Sequence, residues 1–335
     1  MAGKENKSSF IPTSYKGKHL KLSDLKEKAR DTHMYKKYLT KDIPLYPGPN
    51  DCSPEFRVSN LKHDTHRFGL QGINTDNGFK DPHNGLNDVD KLSLVWFSLA
   101  VEEEEIESAE RTLLQKTNMT ARQPGFLKKF ASSPAFKKKS RYGSYRFTFT
   151  VEEVLNAYRT QFCEDMPPVM RVFRTTLYQK EVMYAVLVHR PTEEDKNLFK
   201  DYTSLSDVNQ DAVCTYEQGQ FIWRPQAMCD THKYKLTKTR NEMDAEKIKS
   251  DQWYVWDHVT LALHVKKGEV LRFDPNFLLK NLTSCEQDEV TVAPKCFDSR
   301  TNARKFVREL WNNPNFEQDG LLREFEDLSL RDHPV

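Results

Sequence analysis

The 335-residue sequence has no run of about 18 apolar residues, so it offers no membrane-spanning helix. Its opening stretch, MAGKENKSSF, lacks the apolar core of a secretory signal peptide. The six cysteines (Cys52, Cys163, Cys214, Cys229, Cys285 and Cys296) include no C-x-x-C pair. That distribution fits reduced thiols in a cytoplasmic or nuclear protein, not a secreted one. Cys229 and His232 make one C-x-x-H, but no second pair sits at ligand spacing, so no metal is expected. Without a glycine-rich phosphate loop, neither a P-loop nor a dinucleotide fingerprint can be argued. There is no G-x-S-x-G elbow, no H-E-x-x-H and no repeat of fixed period.

What is present supports a packed core. Apolar residues make up 37% of the chain and aromatics 11%, which argues against global disorder. Lys plus Arg total 51 against 49 acids, so the whole-chain charge decides nothing and its distribution must. Residues 1–56 read as a basic flexible arm followed by a short helix from the N-cap Ser23, ended by Pro44, Pro47 and Pro49. VSNLKHDT is strand-like, and HRFGLQGINTDNGF reads as a short helix ending in a turn or cap near Gly78. LSLVWFSLAV (residues 92–101) is a continuous apolar run expected to form a buried strand. The helix that follows carries Glu102 to Glu105 at its positive end. Strands are expected at YRFTFTV, EVMYAVLVH, QFIWRP, WYVWD and TLALHV, and amphipathic helices at VEEVLNAYRTQF and TNARKFVRELW. In the last of these, Phe306 with Leu310 and Val307 with Trp311 form a stripe expected to dock on the core. The pattern is mixed α+β rather than regular βαβ alternation.

Two stretches carry chemistry. No acid occurs between Arg111 and Val151, while Lys128, Lys129, Lys137, Lys138, Lys139 and Arg141 are interleaved with Phe126, Phe130, Phe136, Tyr142 and Tyr145. Cations neutralise phosphates and aromatic faces accept bases, so this segment is a candidate RNA or DNA surface. The alternative is a solvated basic loop whose aromatics tuck into the domain. The second stretch is HDTH. His63 and His66 read as metal ligands, a catalytic pair, part of a cofactor pocket, or a polar turn in which Asp64 or Thr65 caps the next helix.

The order of segments bears on that choice. His63-x-Thr65 ends a strand, Trp96-Phe97-Ser98 lies in the apolar strand, Ser108-Ala109 follows in the next helix, and DQWYVWD comes at residues 251–257. This series resembles the ADP-ribosyltransferase domain of poly(ADP-ribose) polymerases (PARP-like proteins) over about residues 57–270. The resemblance implies an α+β fold with a split, mixed or antiparallel central sheet. It implies an ADP-ribosyltransferase-like domain over residues 57–275, with a basic aromatic insertion at 111–150 and a helical extension at 276–335. It implies a pocket for NAD made by His63, Thr65, Trp96, Phe97 and Ser108, with Trp96 at the position of the family's nicotinamide-stacking tyrosine.

The family's catalytic glutamate falls on Gln252, which can keep a ribose hydrogen bond but lacks the charge. Asp64 replaces the glycine that follows the family histidine, putting a side chain and a charge beside the pocket. The implied function is therefore a degenerate transferase used for binding, with mono-ADP-ribosyl transfer as its residual activity. The rival roles are nucleic-acid binding through residues 111–150, and a protein-interaction scaffold whose partner no motif names.

Overall fold

The computed structural model describes residues 13–18, 20, 24, 54–86, 88, 90–131, 133–178, 181–208, 213–225, 227–228, 234–239, 241–247, 254–255, 258–288 and 296–311. The expected helix from Ser23, the Cys229–His232 pair, Gln252 and Trp253 lie outside them.

The architecture is mixed α and β around one eight-stranded sheet. Its strands, in chain order, are β1 (Thr13–Lys16), β2 (Asn60–Thr65), β3 (Leu94–Ala100), β4 (Tyr145–Thr150), β5 (Val169–Tyr178), β6 (Glu181–His189), β7 (His258–His264) and β8 (Leu282–Ser284). Their spatial order is β1-β5-β6-β7-β3-β2-β4-β8. Only β6 and β7 run parallel among these neighbours; every other adjacent pair is antiparallel. The principal helices are α1 (Arg67–Asp76), α2 (Glu103–Thr117), α3 (Val151–Phe162) and α4 (Arg300–Trp311).

Local chemistry explains the helix ends. At α2, Glu102 and Glu105 form a reciprocal capping box, and at α3 Thr150 and Glu153 do the same. His66, rather than Asp64 or Thr65, caps α1, its Nδ1 accepting from the Gly69 amide at 3.3 Å. The left-handed residue that ends α1 is Asn77, not Gly78. Gly78 serves a close approach instead: a Cβ there would lie 2.2 Å from the Leu271 carbonyl oxygen. Gly143 does the same at the end of β2, where a Cβ would sit 2.3 Å from the Thr65 oxygen.

Strand alternation gives the sheet two unlike faces. Leu61, Phe97, Leu99, Phe147 and Phe149 turn to the main core, where Phe79 packs edge-on against Phe97 and Phe147 at 5.3 Å. Helix α4 docks on this core through Ala303 and Val307, with Phe306, Leu310 and Trp311 packed around them, as its stripe suggests. A smaller cluster of Leu94, Phe173, Leu187, Phe199 and Ala262 covers part of the opposite face. The rest of that face is where polar side chains collect.

The strand at Val169–Tyr178 is not among the sequence expectations. Arg171 and Arg174 interrupt its apolar pattern, and a bulge between Val172 and Arg174 breaks its period. The bulge re-aims Arg174 toward the polar part of the face.

Candidate functional site

A cavity of about 370 Å³ opens on the polar part of the sheet. Lys62 and Asp64 reach it from β2, Trp96 and Ser98 from β3, His258 and Thr260 from β7, and Arg174 from β5. Lys139, Arg141 and Tyr142 close one side. A second cavity of about 450 Å³ adjoins it and shares His63, Trp96, Arg174 and Thr176. The Trp96 indole stands between the two, 37% exposed, so it lines the cleft instead of filling it.

His63 sits at the junction. Its ring is half-buried, with Phe79 at 4.9 Å and Phe97 at 5.7 Å behind it. Its Nδ1 lies 2.8 Å from the Trp96 carbonyl oxygen. A carbonyl only accepts, so Nδ1 carries the proton and Nε2 of the neutral ring is an acceptor. Burial lowers the His63 pKa, and the Trp96 carbonyl and Asp64 only partly offset this.

The expected pocket residues separate in space. His63 and Trp96 meet, while Phe97 is buried behind His63 and lines neither cavity. Thr65 is buried against the first turn of α1, where a Cβ on Gly69 would meet its Oγ1, and it also lines neither cavity. Ser108 is exposed on α2, outside the cleft.

Asp64 does not present a bare charge. Arg146 holds it with Nε to Oδ1 at 2.6 Å and Nη2 to Oδ2 at 2.8 Å. Burial alone would raise the Asp64 pKa, but the Arg146 hydrogen bonds and charge outweigh it and leave the pKa lowered.

The basic stretch is woven into the fold. Phe126, Phe130 and Tyr145 are buried, Phe136 stacks on Trp223 at 5.1 Å, and Tyr142 alone of the five aromatics is exposed. The side chains thus offer no row of stacking faces. Lys128 pairs with Glu103 and Glu107, Lys129 bonds the Gln123 amide, and Lys137 and Arg141 meet Asp288 at 3.1 and 3.5 Å. Lys138 and Lys139 are exposed. Through Lys139, Arg141 and Tyr142 this segment becomes a wall of the same cleft as His63.

Sequence reasoning missed Lys62, Ser98, His258, Thr260 and Arg174. The available signal was alternation: Lys62 and Asp64 flank His63, as Trp96 and Ser98 flank Phe97, and so face the other way.

Two buried histidines give the fold a pH dependence. Burial pushes His258 down to about 3, helped by the Arg141 and Lys62 charges. Burial also pushes His189 down to about 4, where Arg171 Nε donates to its Nε2 at 3.0 Å. Between these values and the ordinary histidine pKa near 6.5, the unfolded chain binds more protons than the folded one, so stability falls as pH falls. Unfolding free energy from urea titrations is expected to drop by about 2–4 kcal/mol between pH 7 and pH 5. A flat profile over that interval would contradict neutral burial of both rings.

No group of three or more histidine, cysteine or carboxylate side chains suited to a metal occurs among the described residues. Nor is any helix among them long and apolar enough to cross a membrane. No protein-family model, curated protein or solved structure matches this chain.

Proposed function

We propose that the chain is a PARP-like, ADP-ribosyltransferase-fold module that binds NAD or its ADP-ribose part in the His63 cleft, with its transfer chemistry curtailed at Gln252. The observation that carries this reading is the bond from His63 Nδ1 to the Trp96 carbonyl. It fixes Nε2 as a hydrogen-bond acceptor, the role needed to receive a ribose hydroxyl. The partly exposed Trp96 indole beside it offers a face for a flat ring. Lys139, Arg141 and Arg174 on the walls suit a pyrophosphate.

The cavity residues therefore fit a dinucleotide, which would supply the glycosidic bond to nicotinamide. The chain's own contribution is binding and orientation. On the resemblance, glutamine at position 252 brings no charge to a developing cation.

Calorimetric titration with NAD and with ADP-ribose tests the reading. Binding is expected for the natural sequence. His63→Ala and Trp96→Ala are each expected to weaken it by about tenfold or more, the scale of a lost buried hydrogen bond or stacked ring. Absence of binding by either ligand at millimolar concentration would sink the proposal.

A further inference from the structure

The floor of the cleft holds two polar groups that the His63 end does not use. Lys62 is 4% exposed although it is a lysine in a central strand. Its Nζ donates to the Pro134 carbonyl at 2.5 Å and, more weakly, to the Lys137 carbonyl at 3.4 Å. None of the ion pairs among the described residues involves it, and the nearby Asp64 already spends both oxygens on Arg146. Neutral carbonyl dipoles are what its hydrogen bonds meet, which is an unusual setting for a buried cation.

Two strands away, His258 is 7% exposed and also lines the cavity. Its Nε2 lies 3.2 Å from Ser98 Oγ. Its Nδ1 is buried without a hydrogen-bond partner among the described residues. Where Nε2 accepts from the Ser98 hydroxyl, Nδ1 carries the proton and is a buried donor without a partner among the described residues. Buried donors left unmade are costly and call for an explanation such as a ligand.

Register sets the geometry. Lys62 pairs with Ser98, and Ser98 pairs with Thr260, two residues from His258. The lysine stands directly across from Ser98 on one side, at roughly 5 Å, and the histidine is its diagonal neighbour on the other, at roughly 7–8 Å between Cα atoms. Both side chains line the cavity beside it. At the rim, by contrast, Arg141 is answered by Asp288 and Arg174 by Asp88 and Asp90. Lys139 on the wall is exposed to solvent, so Lys62 is the buried cation of the cleft that no ion pair among the described residues answers.

We propose that Lys62, His258 and Ser98 form a phosphate subsite, distinct from the ribose-type contact at His63, that holds the phosphoryl group of a phosphate ester. The site does not depend on which nucleotide, if any, occupies the His63 end. A phosphate dianion supplies acceptor oxygens for the Lys62 ammonium and the His258 Nδ1–H together.

Protonation gives a second readout. Burial pushes Lys62 down to about 7, with the Arg146 and Arg141 charges adding to it and Asp64 and Cys285 opposing. His258 is held neutral by burial and by those same cations, and Cys285 is pushed up to about 12 by burial. At pH 8, then, Lys62 is the group beside the ligand that gains a proton when the anion binds.

The test is calorimetry of inorganic phosphate with the full chain at pH 8, in two buffers of different ionisation enthalpy. The expected result is saturable binding with uptake of up to about one proton per site. Lys62→Met is expected to lower the affinity by about tenfold or more, and His258→Phe by a smaller factor. His63→Ala is expected to retain phosphate binding, even where it loses NAD. Absence of saturation would overturn the proposal. So would binding without proton uptake, which needs no variant to measure. Loss of phosphate binding in His63→Ala would also overturn it, by merging the two subsites into one.

Discussion

Arg146→Met is expected to lower the unfolding free energy by about 3–5 kcal/mol, the cost of stranding a buried charge. The guanidinium donates five hydrogen bonds, two to Asp64 and one each to the carbonyls of Lys137, Lys138 and Lys139 at 3.0, 3.1 and 3.2 Å. Its removal leaves Asp64 a buried carboxylate, its side chain only 9% exposed, without the two charged hydrogen bonds that hold it. The Asp64 pKa should then rise, because burial remains while the Arg146 charge and hydrogen bonds vanish.

Arg146→Lys should recover only part of the loss, since a point charge cannot span both a carboxylate and three carbonyls. Adding Asp64→Asn to Arg146→Met should restore part of the stability, giving a coupling of the same sign in a double-mutant cycle. Urea unfolding of the four proteins measures this. A loss under about 1 kcal/mol for Arg146→Met would mean that the pair is not held in a desolvated setting.

Gln252→Glu is expected to raise the release of nicotinamide from NAD by about 10²-fold or more, the scale of one preorganised charge at a reacting centre. The expectation rests on the resemblance of DQWYVWD to the family strand that carries the glutamate. It is strengthened by the state of Asp64, whose charge is answered by Arg146 and so is not presented bare to an incoming ligand. Adding His63→Ala to the glutamate variant should abolish the gain. If the glutamate variant binds ADP-ribose and releases no more nicotinamide than the natural sequence, the missing charge is not what limits the site.

The parts of the fold that were legible in the sequence are those set by local pattern. The apolar run at 92–101 reads as a buried strand and β3 forms within it, and the acids and caps at the starts of α2 and α3 specify where those helices begin. His63 and Trp96, which the sequence reading pairs across 33 residues, do meet through the Trp96 carbonyl. What was not legible is long-range. Arg146 and Asp64 are 82 residues apart, and nothing near either names the other. The floor formed by Lys62 and His258 depends on β7 lying beside β3 and β2 beyond it. The basic stretch looked like a surface because its charges are consecutive. All of its five named aromatics but Tyr142 nevertheless pack into the domain, Tyr145 doing so on β4 where that strand pairs with β2.

Arg146 grips residues 137–139 by main-chain oxygens and by no side-chain atom of theirs. Shape and charge at the cleft mouth are therefore set by different atoms. Exchanging the exposed Lys138 or Lys139 for another residue changes the potential an approaching anion feels and leaves the wall where it is. The charge of the cleft mouth can be changed without reopening the question of how the domain folds.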